Sequence, residues 1–466
     1  MTDETAQTNG LAARRVDKGV MTDRPQDVPE RMRPYISTAD LNERIPVATG
    51  PFRLVGPTRG MLNGQLVFRW APSPALEFEG TYEVPYPEMD APNWSLESEG
   101  ELAFQVPVFI TRMTTSLDAS PSKVRGIVQR GFTIGQGPFD TLRFCLVNFP
   151  EYLGDPISYG VNALGQFLGR LHVRADLGEC RLDSIPEAAD LVRRARLDPG
   201  YVISNVGEWQ PALSPMTAQQ AETILQMLHF WFGLLRGAWA GPLFPEGLFG
   251  RAVVWRHLTN WNIGENRPTR TWLPQVTPLN LSSAFRGFVR RWSDPKWQKP
   301  LTTAISWFVE SNSPRVAAET RIVLAQVALE LLAWVHVVET QKLHSRKDFE
   351  RLSAAGRIRI LLQQLGIPPR VPDHLRNVPA IDDRDAFDGP GVITSVRNAL
   401  VHATEQKRVA IDKLDGMQRF QCAQLALHYL ELVLLALCGH DGHYARRGWE
   451  GWRGEDELQV PWMQKG

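Results

Sequence analysis

Ile322-Val-Leu-Ala-Gln-Val-Ala-Leu-Glu-Leu-Leu-Ala-Trp-Val-His-Val-Val338 is apolar almost all the way round, with no charge between Ile322 and Leu329. A helix of that kind has no face to give to water, so it must be buried on several sides. Gln326, Glu330 and His336 interrupt the run, and it falls short of the roughly 20 apolar residues a bilayer requires. The expectation is a core helix and not a membrane span. Cys422 to Cys438, carrying Gln424, His428 and Glu431, reads the same way. Two such helices form the centre of an antiparallel bundle, which sets residues 291–440 apart as a helical domain. Glu330 needs a partner in such surroundings, because an isolated buried carboxylate is expensive. Arg397 and His402 are candidates, as is any other arginine or an exposed helix edge.

Working outward, Ser311-Asn312-Ser313-Pro314 separates this helix from the preceding one, while Leu365 to Pro372 and Asp382 to Gly391 read as loops. After the breaker Gly389-Pro390-Gly391, the residues Val392, Val396, Ala399, Leu400 and Ala403 recur at three and four residue spacings, predicting a helix with one buried stripe. Ser395, Asn398, His402 and Glu405 follow the same rhythm on the opposite, polar side. This helix carries Arg397-Asn398-Ala-Leu-Val-His402. A neutral imidazole can take the proton from a ribose 2′-hydroxyl near neutral pH. A guanidinium can bond two phosphate oxygens and stabilise the charge that grows during transesterification. Asn398 would orient the His402 ring or hold a phosphate oxygen. Cleavage would leave a cyclic phosphate and a 5′-hydroxyl, and it calls for no metal and no cofactor. Arg397 and His402 lie about 140° apart by helical winding, so assembly across subunits is the simplest way to bring them together.

The Arg-Asn-x-x-x-His arrangement behind two long apolar helices resembles the HEPN superfamily, whose active members are metal-independent ribonucleases carrying Arg-x(4–6)-His. It is most similar to the large HEPN domains of the ApeA-like kind, over roughly residues 300 to 440. Residues 50 to 290 look like the β-rich regions that precede such domains in bacterial defence proteins, including the YopA-like group. The resemblance implies an endoribonuclease acting on tRNA or other cellular RNA in antiviral defence or as a toxin, a homodimer in which both Arg/His sets face one cleft, and release by a phage-derived or cellular trigger. Arg397, Asn398 and His402 are the positions it carries over.

Upstream, residues 1–48 read as a flexible leader. Residues 49–290 read as a β-rich α+β sensor or regulatory domain, and 441–466 as a C-terminal tail, so the fold class is α+β and multidomain. Strands are expected at Gln65–Trp70, Leu76–Val84, Glu101–Thr111, Val124–Ile134, Thr141–Phe149, Phe167–Val173 and Phe249–His257. A helix is expected over Glu187–Arg196, and another from Ser214-Pro-Met-Thr217 to about Trp239. Trp255, Trp261, Trp272, Trp292, Trp297 and Trp307 form an aromatic seam. Such a seam serves either as a stacking platform for bases or sugars or, more commonly, as packing between domains.

The 51 basic and 51 acidic side chains cancel, so RNA binding must come from local patches rather than a global field. Lys407 and Arg408 lie beside the motif. Arg193/Arg194/Arg196, Arg286/Arg290/Arg291 and Arg446/Arg447/Arg453 are further clusters that read as solvated surface. Four dispersed cysteines exclude a disulfide framework and a CxxC zinc site, and His440-Asp-Gly-His443 lacks a third ligand. The polar N-terminus carries no apolar signal core, so the cytoplasm is expected. Two other readings stay open: a catalytically silent HEPN-like module that binds RNA or protein, and a ligand- or carbohydrate-binding protein whose helical half dimerises it.

Overall fold

The computed structural model describes residues 28–83, 93–99, 103–114, 121–159, 165–266, 269–375, 377–378, 388–402, 404–448, 451–452 and 454–464. The chain begins with six strands: β1 Ile45–Val55, β2 Arg59–Arg69, β3 Ala75–Tyr82, β4 Trp94–Ser98, β5 Phe104–Thr114 and β6 Ser122–Val128. They close into a barrel in the order β1-β2-β3-β6-β5-β4. Period-two alternation turns Phe52, Leu54, Leu62, Leu66, Phe78, Leu96 and Val106 inward. Gly64 of β2 pairs with Gly80 of β3. A Cβ on Gly64 would stand 2.1 Å from the Glu79 carbonyl oxygen, so the two strands approach there only because neither residue has a side chain.

An eight-stranded antiparallel sheet follows, built from β7 Phe132–Gly135, β8 Thr141–Val147, β9 Asp155–Ser158, β10 Gln166–Ala175, β11 Gly178–Ser184, β12 Ile203–Pro211, β13 Leu243–Phe249 and β14 Ala252–Leu258. Its order is β7-β14-β13-β8-β12-β11-β10-β9. Helix α1 (Ala189–Leu197) precedes β12, and α2 (Ala218–Arg236) follows it. Both faces of the central strands are covered. Cys145 and Val147 of β8 belong to the barrel-side core, while Phe144 and Leu146 belong to the helix-side core. Phe144 meets Phe232 of α2 at 5.8 Å between ring centroids.

The helical half comprises α3 (Ser282–Trp292), α4 (Pro295–Asn312), α5 (Ala318–Ala333, continued by a π-helical turn over Trp334–Thr340), α6 (Arg346–Glu350), α7 (Ala354–Gln364), α8 (Gly389–Val401), α9 (Glu405–Asp412) and α10 (Gly416–Leu437). A two-stranded ribbon, β15 (His443–Ala445) with β16 (Glu457–Gln459), closes the chain. One apolar core runs without interruption from β8 and β12 through α2 into α3, α4, α5, α7, α8 and α10. The fold is therefore α+β, with a β-rich first half and a helical second half.

Several expectations change on contact with the structure. Residues 28–44 are packed rather than free: Met32 N–H donates to Asp183 at 2.7 Å, the Tyr35 hydroxyl donates to the Phe244 carbonyl at 2.7 Å, and β1 already begins at Ile45. Polar backbone pairing at the sheet edge, invisible in composition, holds them. Residues 1–27 of the leader lie outside the described residues. The Val124–Ile134 run divides between barrel and sheet, and Phe249–His257 spans the turn of the β13–β14 hairpin. Helix α2 starts with the capping box of Thr217 and Gln220 and stops at Gly237, φ +70°, the left-handed conformation that terminates helices. The tail of Val84 and the head of the Glu101 strand lie outside the described residues.

The two long apolar helices are longer than the runs that announced them, extending over Ala318–Thr340 and Gly416–Leu437. By length and composition each suffices to cross a membrane, but here both sit in the common core. Trp255, Trp272, Trp292 and Trp297 are buried and Trp261 and Trp307 half-buried, so the seam is packing. Four of the six indoles are inside.

Arg447, read from sequence as tail surface, is 2% exposed. It forms a two-pronged pair with Glu431 of α10, 2.6 Å at each oxygen. It also donates to Asn312 of α4 at 2.9 Å and to the Arg270 carbonyl at 3.3 Å. Asn312 in turn donates to the carbonyls of Gly237 and Arg270, both at 2.7 Å. Burial raises the Glu431 carboxyl while Arg447 opposes it. Removing one member leaves the other charge buried, so Arg447→Met is expected to cost about 3–5 kcal/mol. Adding Glu431→Leu should recover part of that loss, and urea unfolding of the wild type and both variants would show whether it does.

Candidate functional site at the end of helix α8

Gly389-Pro390-Gly391 is not a loop but the first turn of α8. Asp388 is its N-cap, accepting from the Gly391 N–H at 2.9 Å, and proline is tolerated there because the first helical N–H groups lack intrahelical partners. Arg359 of α7 grips the same carboxylate at 2.6 and 3.1 Å. Gly389 accommodates Tyr429 of α10: a Cβ at 389 would fall 2.0 Å from the Tyr429 hydroxyl, which bonds the Pro369 and Arg370 carbonyls at 2.9 Å each. The start of α8 is thus fixed from two sides. The remainder of the expected 382–388 loop, apart from Asp388, lies outside the described residues.

The buried stripe of α8 is wider than the periodicity predicts. Val392, Val396 and Ala399 are buried as expected, but so are Thr394 and Ser395, which the alternation set on a polar face in the case of Ser395. α8 packs against α5, α7 and α10, so its first turns are enclosed, and Ser395 satisfies its hydroxyl on the Val392 carbonyl at 3.0 Å. Polar side chains reach solvent only in the last turn.

There the three motif residues reach solvent. Arg397 and Asn398 are half-buried and His402 is exposed. The Arg397 Nη1 donates to Asn398 Oδ1 at 3.3 Å, and its Nε is buried without a partner. The helix ends at Val401, and His402 is its C-cap with φ −99° and ψ 72°. The predicted single helix through Glu405 is therefore corrected. His402 N–H still bonds the Asn398 carbonyl at 2.9 Å, the Thr404 N–H folds back to the His402 carbonyl at 2.7 Å, and Glu405 opens α9. Asn398 uses its side-chain oxygen on Arg397, not on the imidazole. Ala403 lies outside the described residues.

Glu330 does not join this site. Its carboxylate accepts from Gln326 at 3.0 Å and pairs with Arg357 of α7 at 3.4 Å, so it braces α5 against α7. Lys407 is half-buried and Arg408 exposed on α9, a helix with no buried residue. Of the other basic clusters, Arg193, Arg194 and Arg196 are engaged by Asp190, Asp40 and Glu151. Arg291 lies over the Trp297 ring at 4.9 Å, and Arg453 lies outside the described residues. His440 is buried with Nε2 on the His443 carbonyl at 2.9 Å, so the two histidines do not offer paired ring nitrogens. Among the described residues no group of three His, Cys, Asp or Glu stands close enough to hold a metal.

Large apolar side chains are exposed in the segment that runs on from the motif. Val401 is 49%, Val409 47%, Met417 50% and Phe420 37% exposed, spanning the end of α8, α9 and the start of α10. Periodicity alone did not reveal them, because α9 is too short and polar to show a stripe.

The histidines elsewhere contrast with His402. Burial lowers His229, stacked 4.8 Å from Trp239, to about 4, and lowers His428, with help from His374 and Arg447, to about 3. Both are neutral in the folded protein, whereas an unfolded histidine titrates near 6.5. Above that pH their contribution is fully present, and it is lost as pH falls toward 4 because only the unfolded chain takes up the proton. Between pH 7.5 and 4.5 the wild type should lose roughly 2–3 kcal/mol more stability than His229→Phe. Equal losses in urea titrations would contradict this.

Comparison with known proteins gives two domain matches. Residues 294–457 match the YopA C-terminal domain, and residues 135–268 match the YopA central domain. The SPbeta prophage-derived uncharacterized protein YopA of Bacillus subtilis (strain 168) is 26% identical over 419 residues, covering 88% of this chain and 92% of that protein. No solved structure matches. Together these similarities support a YopA-like family. The first match runs from α4 to the first residue of β16 and the second from the last residue of β7 through β14, leaving the barrel outside both.

Proposed function

Starting from a YopA-like chain, we propose that the exposed end of α8 is the working surface of a metal-independent endoribonuclease with an HEPN-like helical half. Arg397 carries this reading: a half-buried guanidinium whose one bond among the described residues goes to Asn398 at 3.3 Å has terminal donors left for an anion. His402, at an open helix terminus, serves as the base that takes the 2′-hydroxyl proton. The 2′-oxygen then forms a bond to phosphorus, the bond to the 5′-oxygen breaks, and that oxygen takes a proton from water and leaves as a hydroxyl, giving a 2′,3′-cyclic phosphate. Arg397 stabilises the charge on the phosphoryl oxygens, and Lys407 and Arg408 hold the flanking strand.

The apolar side chains of Val401, Val409, Met417 and Phe420 favour pairing of two copies over this surface. Pairing would set Arg397 of one protomer across from His402 of its partner and so overcome their angular separation on one helix. The same exposed surface also fits the catalytically silent alternative, a module that binds RNA or a protein. In the working model the β-rich half restrains or senses, a phage-derived or cellular trigger releases the nuclease, and the target is tRNA or other cytoplasmic RNA in antiviral defence.

The test is cleavage of total RNA in EDTA by the wild type, His402→Ala and Arg397→Ala. Loss of the base should slow cutting by about 10²–10⁴-fold, and loss of the guanidinium by about 10²–10³-fold, with 5′-hydroxyl ends on the wild-type products. Arg397→Ala should still fold, since partly exposed changes away from core packing cost little. Undiminished cutting by His402→Ala, or its abolition by EDTA, would remove the proposal. Equal RNA binding with no cleavage by any of the three would favour the silent module.

A further inference from the structure

The barrel presents a cationic surface that its own fold does not neutralise. On β3, Glu77 and Glu79 share the outer side. Arg44 reaches Glu79 at 2.9 Å and Glu77 at 4.0 Å, Arg69 reaches Glu77 at 2.7 Å, and Arg125 of β6 reaches Glu79 at 2.7 Å. Gln65 adds a fourth donor to this pair of carboxylates, at 2.9 Å from Glu79. Three of their four oxygens are engaged and the fourth, Glu77 Oε2, is buried, yet two more cations stand beside them. Arg112 of β5 and Lys123 of β6 are exposed, and among the described residues neither has an ion-pair partner.

The register makes the arrangement costly. Arg112 is the direct cross-strand neighbour of Arg125, and Thr114 that of Lys123. Like charges placed opposite each other on a sheet are destabilising. Strict alternation along β5, with Val106, Val108 and Ile110 inward and Phe109 and Thr111 outward, would turn residue 112 into the barrel. A register shift between Ile110 and Arg112 prevents this and leaves both Thr111 and Arg112 outside. Bulges of this kind re-aim side chains beside binding sites. The result is an open concavity of about 480 Å³ lined by Arg112, Lys123, Arg125, Glu79, Thr81 and Thr114. Phe109, on the same strand and the same outer side, is 55% exposed.

We infer that this face of the barrel binds single-stranded nucleic acid, with a backbone phosphate seated among Arg112, Lys123 and Arg125 and an unpaired base stacked on Phe109. Arginine forks match phosphate oxygens in pairs, and the hydroxyls of Thr81 and Thr114 supply neutral donors at the rim. An exposed ring on the outside of a barrel accepts any base face but has no access to a base inside a duplex. An acidic peptide would satisfy the cations and leave Phe109 unused. The site is remote in sequence from α8 and does not depend on the nuclease reading.

The experiment measures anisotropy of a fluorescein-labelled twelve-nucleotide oligouridine with the full chain, in a His402→Ala background so that cleavage cannot mimic dissociation. Arg112→Glu/Lys123→Glu should weaken binding by at least about tenfold and make the salt dependence shallower by ~0.7 in log–log slope, the share of one phosphate contact on a single strand. Phe109→Ala should weaken binding about tenfold with the slope retained. Arg112→Lys/Lys123→Arg should keep most of the affinity and the full slope, and circular dichroism should show all variants folded. The inference is overturned by an unchanged affinity and slope in the charge-reversed variant, by polyaspartate competing as well as oligouridine, or by a preference for duplex. Binding that behaves as expected while wild-type protein fails to cleave RNA would sustain this site and remove only the nuclease.

Discussion

A fully enclosed ion pair ties the halves of this chain together. Arg447 and Glu431 have left water altogether, a transfer that costs several kcal/mol per charge and is repaid only when the remaining donors and acceptors are matched. Here they are: two prongs go to Glu431, and the remaining donors reach Asn312, Gln424 and the Arg270 carbonyl. Because Asn312 also holds the Gly237 carbonyl at the end of α2, one guanidinium links the C-terminal ribbon, α10, α4 and the segment leaving the sheet. The helices therefore share a core with the sheet rather than forming a unit beside it.

That anchoring has a consequence for chemistry. With α10 and α5 fixed inside, α8 is pressed between helices along its first turns, capped by Asp388, gripped by Arg359 and packed through Gly389 on Tyr429. Only its final turn projects, and all three motif residues are there. A rigid base with an open end is what the proposed chemistry would require of the element that carries its guanidinium and imidazole. The same openness leaves apolar side chains uncovered between Val401 and Phe420.

The sheet is the layer that the two cores share. Alternate residues of β8 serve different cores, Cys145 and Val147 toward the barrel and Phe144 and Leu146 toward α2. A close-packed layer shared by two cores cannot shift on one side without the other responding.

Much of this was written in the local sequence. Apolar runs at 322–338 and 422–438, the Thr217 cap and the period-two stretches around Leu66, Phe78 and Leu146 announced core helices and half-buried strands, because burial imposes its own periodicity on the residues that endure it. The Arg397-Asn398-x-x-x-His402 order was equally legible. What periodicity could not carry was anything that depends on a distant partner. Arg447 looked like surface because arginine usually is, and only Glu431 sixteen residues earlier and Asn312 on another helix made it core. Glu330 found Arg357 rather than Arg397, since helix packing and not spacing chose the neighbour. Arg112 faced outward through a bulge that exists only in the pairing of β5 with β6. Sequence by itself determined which segments must be buried and in what regular form, a matter of local propensity and water. Tertiary structure decided which charges meet, because a long side chain is free to satisfy itself on whichever element the fold delivers.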